Sequence, residues 1–397
     1  MKKSLFLTYF FPPERGGIQN YLYNICKRLP SDKVVVWAPI NSNASDFDKK
    51  QGFKIIRKSY NSSLRMFGLS SVDYFFTLRK IVKENEVKVI HCGHIHPMGM
   101  TAYLAKKILH IPYIVYTHGT EIKEIDSKSG FHKKMMKRVL DDAQNIVVTT
   151  DFMRDYIASK FGFLKSDDKT TNSETENMLS EKFIKIPPGV NTELFHPLDS
   201  LKIKQRFELE NQKIILTCGR LVPRKNHELV IKAMPNVLKR VPNAKYYIIG
   251  NGPTLEKLRL LIRNLRLDDK VKIYTKITDK DLNFYYNLCD VFIMPSKEME
   301  NKKDIEGFGL VYLEANACKK PVIAGNSGGV AEAVLDGQTG ILVNPENIKE
   351  ITDSLIKILR DEKLANDLGN YGYERVKKDF DWNELVKKLA KILEIGN

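Results

Sequence analysis

The stretch Ile186-Pro187-Pro188-Gly189-Val190-Asn191-Thr192-Glu193-Leu194-Phe195-His196-Pro197-Leu198 divides the chain into two halves of similar rhythm. Proline lacks an amide donor and fixes its φ angle, so Pro-Pro-Gly followed nearby by Pro197 continues neither a strand nor a helix. On the amino-terminal side, the short apolar segments SLFLTYF, VVVWAPI, KVIHCG, YIVYTHG and NIVVTT alternate with amphipathic ones. The same alternation resumes with IILTCGR, KYYIIGNG, KIYTK, VFIMPS, PVIAG and GILV. Such alternation reads as βαβ units in parallel sheets. The strands are too many for one ordinary sheet. The expected architecture is therefore α/β, with two Rossmann-like domains over residues 1–190 and 191–375 joined by a hinge and facing a central cleft. A closing helix is expected over 376–397, where WNELVKKLAKILE sets Leu385, Leu389 and Leu393 on one face. Residues 165–181 (KSDDKTTNSETENMLSE) are polar and read as an exposed insertion in the first domain.

Bulk properties narrow the class. A chain of 397 residues that is 43% hydrophobic and 28% charged is globular and neither disordered nor fibrous. No apolar run approaches the roughly 20 residues that cross a bilayer. The first hydrophobic run leads into Pro-Pro-Glu-Arg-Gly-Gly and not into a small-residue cleavage site, so a cytoplasmic protein is expected. Five cysteines without CxxC spacing indicate neither a disulfide framework nor a zinc knuckle. The net charge of +16 leans to the first half: residues 1–197 carry 30 Lys and Arg against 20 Asp and Glu, and the rest carry 34 against 28. That balance suits anionic partners such as lipid headgroups, phosphorylated substrates or nucleic acid, and it equally describes a solvated basic surface.

In open α/β sheets ligands bind beyond the carboxyl ends of the strands, and the informative residues lie there. PERGGIQNYLYNICKRL places Gly16-Gly17 at the start of an amphipathic helix, where the backbone can approach a ligand or simply turn. THGTEI puts His118 at a strand end, as a proton-transfer group, a polariser or a cap. GRLVPRKN offers Arg220 and Lys225, with Arg224 alongside; two cations there suit a diphosphate, although a basic loop is often only solvated surface. In DIEGFGLVYLEANA the spacing of Leu310, Leu313 and Ala317 predicts a helix from about Gly309, with Glu306 before it and Glu314 inside. Unpartnered amides at such a helix start attract phosphate, and carboxylates accept from sugar hydroxyls; a first-turn acid and an exposed helical acid is the bland alternative.

Other motifs are weaker. HCGHIH supplies His91, Cys92, His94 and His96 without a nearby carboxylate, so no metal site is expected. GNGPTL has Leu255 where a dinucleotide fingerprint needs a third small residue, which argues against a dehydrogenase. Asp46-Phe47-Asp48 lies among polar residues and not at a strand end. HKKMMKRVL at 132–140 is a basic amphipathic segment fit for anionic lipid or for plain solvent.

Taken in order, GGIQNYL, THG, PPGVNTELFHP, GRLVPRKN, GNGP and EGFGLVYLEANACKKPVIA followed by NSGGVAEAV resemble the retaining GT-B glycosyltransferases of family 4 over essentially the whole chain. Within that family the sequence looks most like the GDP-mannose-dependent phosphatidylinositol mannosyltransferases. The resemblance implies a nucleotide-diphosphate sugar donor (GDP-mannose or a UDP-sugar), a lipid-linked or glycan acceptor, no metal or other cofactor and no nucleic acid partner. It places Glu314 on the ribose, and Glu306, Gly307 and the amides of Phe308, Gly309 and Leu310 on the sugar and phosphate. Arg220, Lys225, Gly16 and Gly17 fall on the diphosphate, and His118 and Glu306 become the catalytic pair. Contact with the inner face of the cell membrane follows if the acceptor is a lipid. Two departures are expected to alter loop detail or base recognition and not the reaction: Asn191 stands where relatives often have Asp, and YTKIT at 274–278 lacks a common glycine. A UDP-sugar transferase, a phosphorylase-like or epimerase-like GT-B enzyme, and a non-enzymatic protein binding nucleic acid or lipid are the alternatives.

Overall fold

The computed structural model describes residues 1–14, 16–58, 70–119, 130–163, 179–299 and 306–395. The chain divides into two compact units, Met1–Pro188 with Trp382–Asn397, and Gly189–Asp381. Most of the polar stretch expected as an insertion at 165–181 lies outside the described residues.

The first unit is built on a seven-stranded parallel sheet. Its strands are β1 (Ser4–Leu7), β2 (Val34–Pro39), β3 (Lys54–Lys58), β4 (Val89–Cys92), β5 (Tyr113–Tyr116), β6 (Asn145–Val148) and β7 (Phe183–Lys185), in spatial order β3-β2-β1-β4-β5-β6-β7. β1 and β5 are buried along their whole length, as expected of parallel strands covered by helices on both faces. The second unit holds six parallel strands: β8 (Lys213–Cys218), β9 (Ala244–Ile249), β10 (Val271–Tyr274), β11 (Val291–Met294), β12 (Val322–Gly325) and β13 (Gly340–Val343), ordered β10-β9-β8-β11-β12-β13. All eleven apolar segments singled out in the sequence are strands. The two additional ones, β3 and β7, are the edges of the first sheet. KIIRK is only half buried and FIK spans three residues, so neither shows the fully apolar run of an inner strand.

Both orders reverse direction once, between β1 and β4 and between β8 and β11. This is the doubly wound Rossmann pattern, and its switch point opens a crevice at the strands' carboxyl ends. The final helix, Trp382–Ile395, returns to the first unit: Trp382, Leu385, Val386 and Leu389 are buried with Phe6, Tyr21 and Ile25. Tyr21 anchors this arrangement twice, packing its ring edge-on to Trp382 at 5.5 Å and donating its hydroxyl to the Ile186 carbonyl at 2.8 Å.

Candidate functional site

At the switch point of the second sheet, the chain leaves β8 through Gly219 and Arg220 and tightens into a 3₁₀ turn over Pro223–Lys225. Asn226 closes that turn in the left-handed region, φ 59°, and the helix His227–Arg240 follows. The neighbouring exit from β11 runs through Pro295 and Ser296, and the Lys297 amide donates to the Arg224 carbonyl at 2.9 Å, joining the two loops.

Glu306 reaches the same point. Its carboxylate accepts from Lys225 Nζ at 2.5 Å, from an Arg224 terminal nitrogen at 2.5 Å and from Ser296 Oγ at 3.3 Å. Lys225 and Glu306 are both buried. Burial opposes ionisation of Glu306, but the charges of Lys225 and Arg224 outweigh it and hold the carboxyl below its ordinary range. Burial likewise pulls the Lys225 ammonium down, against the opposing pull of Glu306.

Three residues later the helix Leu310–Ala317 begins at Gly309, which lies at φ 90°. A Cβ there would come within 2.2 Å of the Tyr312 ring, so glycine is demanded by conformation and by space. Tyr312 fixes this helix start to the sheet by donating to the Met294 carbonyl at the end of β11, 2.7 Å away. Gly307 and Leu310 lie in the same turn, and Phe308 is buried against Phe380 at 5.7 Å. Glu314 stands on the helix as expected, and its carboxylate accepts from the buried Tyr286 hydroxyl at 2.7 Å. Arg220 is exposed at the head of the loop. GNGP packs close to the same loop: a Cβ on Gly250 would meet the Gly219 carbonyl oxygen at 1.9 Å, which accounts for this glycine without any nucleotide fingerprint.

The first unit repeats the logic. Beyond β1, Gly16 precedes the helix Gly17–Arg28, and Tyr21 on that helix meets the His118 ring edge-on at 5.5 Å. His118 follows β5, and its Nε2 donates to the Gly93 carbonyl beyond β4 at 3.1 Å. The HCGHIH histidines scatter. His91 stacks on Phe6 at 4.4 Å with Nδ1 3.0 Å from the Tyr116 hydroxyl, His94 is buried against Phe10, and His96 is exposed. Among the described residues no three His, Cys, Asp or Glu side chains converge as metal ligands. Asp48 is engaged by Arg57, which bonds it at 2.7 and 3.0 Å and reaches the Pro12 carbonyl at 2.6 Å.

The structure thus brings Lys225 to Glu306, and His118 to the helix that Gly17 begins. It adds Arg224, Ser296, Tyr286 and Tyr312. Of these only Arg224 stood out in the sequence, as a neighbour of Lys225; the others carry no local signal, since their partners lie 10 to 28 residues away.

Comparison with known proteins agrees with this geometry. Residues 15–169 match the model of Glycosyltransferase Family 4, and residues 199–375 match that of Glycosyl transferases group 1. The chain is 30% identical to the GDP-mannose-dependent alpha-(1-6)-phosphatidylinositol monomannoside mannosyltransferase of Mycobacterium tuberculosis, covering 99% of this chain and 98% of the relative. It is 27% identical to the monoacylated-substrate counterpart of Corynebacterium glutamicum, over 99% and 98%. Among solved structures, Anabaena HepE in complex with UDP superposes with a TM-score of 0.78 at 18% identity, over 99% of both chains. Sucrose-phosphate synthase from Thermosynechococcus elongatus does so with 0.78 at 20%, over 99% and 98%. Two doubly wound parallel sheets in succession, superposing on these proteins, define the GT-B class of α/β enzymes. The chain belongs to glycosyltransferase family 4. It is an enzyme that moves a hexosyl group from a nucleotide sugar, and among its described residues no helix is long and apolar enough to cross a membrane.

Proposed function

We propose that this protein is a retaining, metal-independent mannosyltransferase that uses GDP-mannose and a lipid-linked acceptor. The observation that carries the reading is the convergence of Arg224, Lys225, Glu306 and Ser296 at the second sheet's switch point, next to a helix start that needs glycine. Donor and acceptor are inferred from the relatives, whose names specify GDP-mannose and phosphatidylinositol monomannoside.

In this reading Glu314 takes the ribose hydroxyls, while Arg220 and Lys225 meet the diphosphate. Glu306 and the turn Gly307-Phe308-Gly309-Leu310 hold the sugar and the phosphate nearest it. The charge that develops on the departing diphosphate is met by these cations and by the helix-start amides, which do the work of a divalent ion. By likeness to the family, His118 is assigned to the sugar and Gly16-Gly17 to the diphosphate.

A membrane-borne acceptor also fits the first unit's surface. The helix Gly130–Asp142 buries Met136, Val139 and Leu140, and exposes Phe131, His132, Lys134 and Arg138. A phenylalanine that is 70% exposed beside cations suits the interface of an anionic leaflet.

The test is a panel of labelled GDP- and UDP-sugars offered with lipid and water-soluble acceptors, with and without chelator. Transfer of mannose from GDP-mannose to the lipid, with the anomeric configuration kept and chelator without effect, is the expected result. Preferential use of a UDP-sugar, release of a sugar phosphate, or rescue by Mn²⁺ after chelation each overturns the corresponding part.

A further inference from the structure

We infer that Arg224 is a third diphosphate-binding cation, and that in the donor-free enzyme Glu306 occupies the Arg224–Lys225 pair that the diphosphate takes over when the donor binds. This rests on the reading of the switch-point cluster as a nucleotide-diphosphate site.

The placement of the donors points this way. A single carboxylate oxygen of Glu306, Oε2, accepts from both Arg224 and Lys225 at 2.5 Å, so one anionic atom sits where two cationic donors meet. Both cations converge on this one carboxylate, and exposed Arg220 stands at the head of the same loop. Guanidinium and ammonium groups that bond carboxylate oxygens serve phosphate oxygens equally well. Arg224 and Lys225 occupy consecutive positions of a short turn whose backbone is tied to the β11 exit through Lys297, so both side chains are presented from one rigid piece of chain.

Two anions cannot both hold these donors at full strength. An arriving diphosphate draws Arg224 and Lys225 toward itself, and the carboxylate of Glu306 is released to accept hydroxyl hydrogens of the attached sugar. Diphosphate binding and sugar recognition are then coupled through the same two side chains. A nucleoside diphosphate without a sugar frees Glu306 but gives it nothing to hold, so for that ligand Glu306 is a competitor.

The test is calorimetric titration of the full-length protein with GDP, UDP, GMP and guanosine, comparing wild type with Glu306→Gln, Arg224→Gln and Arg220→Gln. Thermal melting of each variant checks that it is folded. Glu306→Gln is expected to bind the preferred nucleoside diphosphate about tenfold more tightly, the equivalent of 1.4 kcal/mol, while losing affinity for the intact sugar nucleotide. Arg224→Gln is expected to lose on the order of tenfold for the diphosphate and little for guanosine, because the contact is to phosphate. A Glu306→Gln variant that binds the diphosphate no better than wild type overturns the exchange, since a carboxylate that merely orders the cations predicts weaker binding. An Arg224→Gln variant that loses nucleoside and diphosphate equally overturns its role as a phosphate cation. If the wild type binds neither GDP nor UDP, the underlying reading of the site falls along with the inference.

Discussion

The hydroxyl of Tyr286 donates to the carboxylate of Glu314 at 2.7 Å, from a side chain with no solvent exposure. Burial, and after it the charge of Glu314, raises the phenol's pKa well above its ordinary value, so it stays a donor throughout the working pH range. The glutamate proposed to take the ribose is therefore aimed by a rigid neutral donor on the adjacent helix, Asp279–Leu288. Removing that donor in Tyr286→Phe should cost about 1 kcal/mol, roughly fivefold in Kd. Because the contact concerns the ribose, guanosine and GDP should lose the same factor in a calorimetric titration. Unchanged affinity for both would remove Glu314 from the nucleoside site.

Two glycines should respond in opposite ways. Gly309 lies at φ 90° with the Tyr312 ring where a Cβ would go, so Gly309→Ala should lower stability by about 1–3 kcal/mol and the melting temperature with it. A Cβ on Gly17 meets nothing within 4 Å. Gly17→Ala should melt like the wild type, and its loss should appear in the KM for the sugar nucleotide if the donor's diphosphate fills that open space. A normal KM would show that the space is plain solvent.

Three histidines predict how stability varies with pH. Burial pulls His91, His94 and His227 down to about 3, the charges of His118 and Lys225 assisting for His94 and His227. In the unfolded chain these rings titrate near 6.5, so between that pH and about 3 the unfolded state binds the extra protons. Stability is then full above 6.5 and falls as the medium is acidified, by up to about 1.4 kcal/mol per pH unit for each histidine. His227 has no hydrogen-bond partner on either ring nitrogen among the described residues, so His227→Leu removes the titration without breaking a bond. Urea unfolding at several pH values should give a shallower acid slope for this variant, and an equal slope would mean that His227 is solvated.

The sequence carried the inner strands of both sheets because parallel strands covered on both faces must be apolar along their length. It carried the turn before Leu310–Ala317 because Gly309 is required by φ and by the Tyr312 ring, and such demands are local. The first sheet's edge strands KIIRK and FIK were illegible, the one because it is half exposed and the other because it spans only three residues. Leu385 and Leu389 marked an amphipathic closing helix, but nothing local says that they bury with Phe6 and Tyr21 in the first unit. The engagement of Arg224 and Lys225 by Glu306 spans 82 and 81 residues of chain, and it arises only because β8 and β11 are neighbours at a switch point. Loop cations are visible as composition; which carboxylate they hold is a property of strand order.

The surface around Phe131 supplies the last prediction. Hydrophobic insertion and electrostatic attraction are separable contributions to membrane binding: the first depends on buried apolar area, the second is screened by salt. On the helix Gly130–Asp142, Phe131 would supply the first, and Lys134 and Arg138, both exposed, the second. Vesicles of anionic lipid should therefore retain the wild-type protein at low salt and release it as salt rises. Phe131→Ser should weaken binding at every salt concentration. The double change Lys134→Glu with Arg138→Glu should weaken the salt dependence and lower binding to anionic vesicles, by about 1 kcal/mol for each cation removed. None of these changes touches the switch-point cluster, so transfer to a water-soluble acceptor analogue should keep its wild-type rate. Equal partition of wild type and variants onto anionic and neutral vesicles would assign the basic surface to solvent and leave the acceptor to be found in solution.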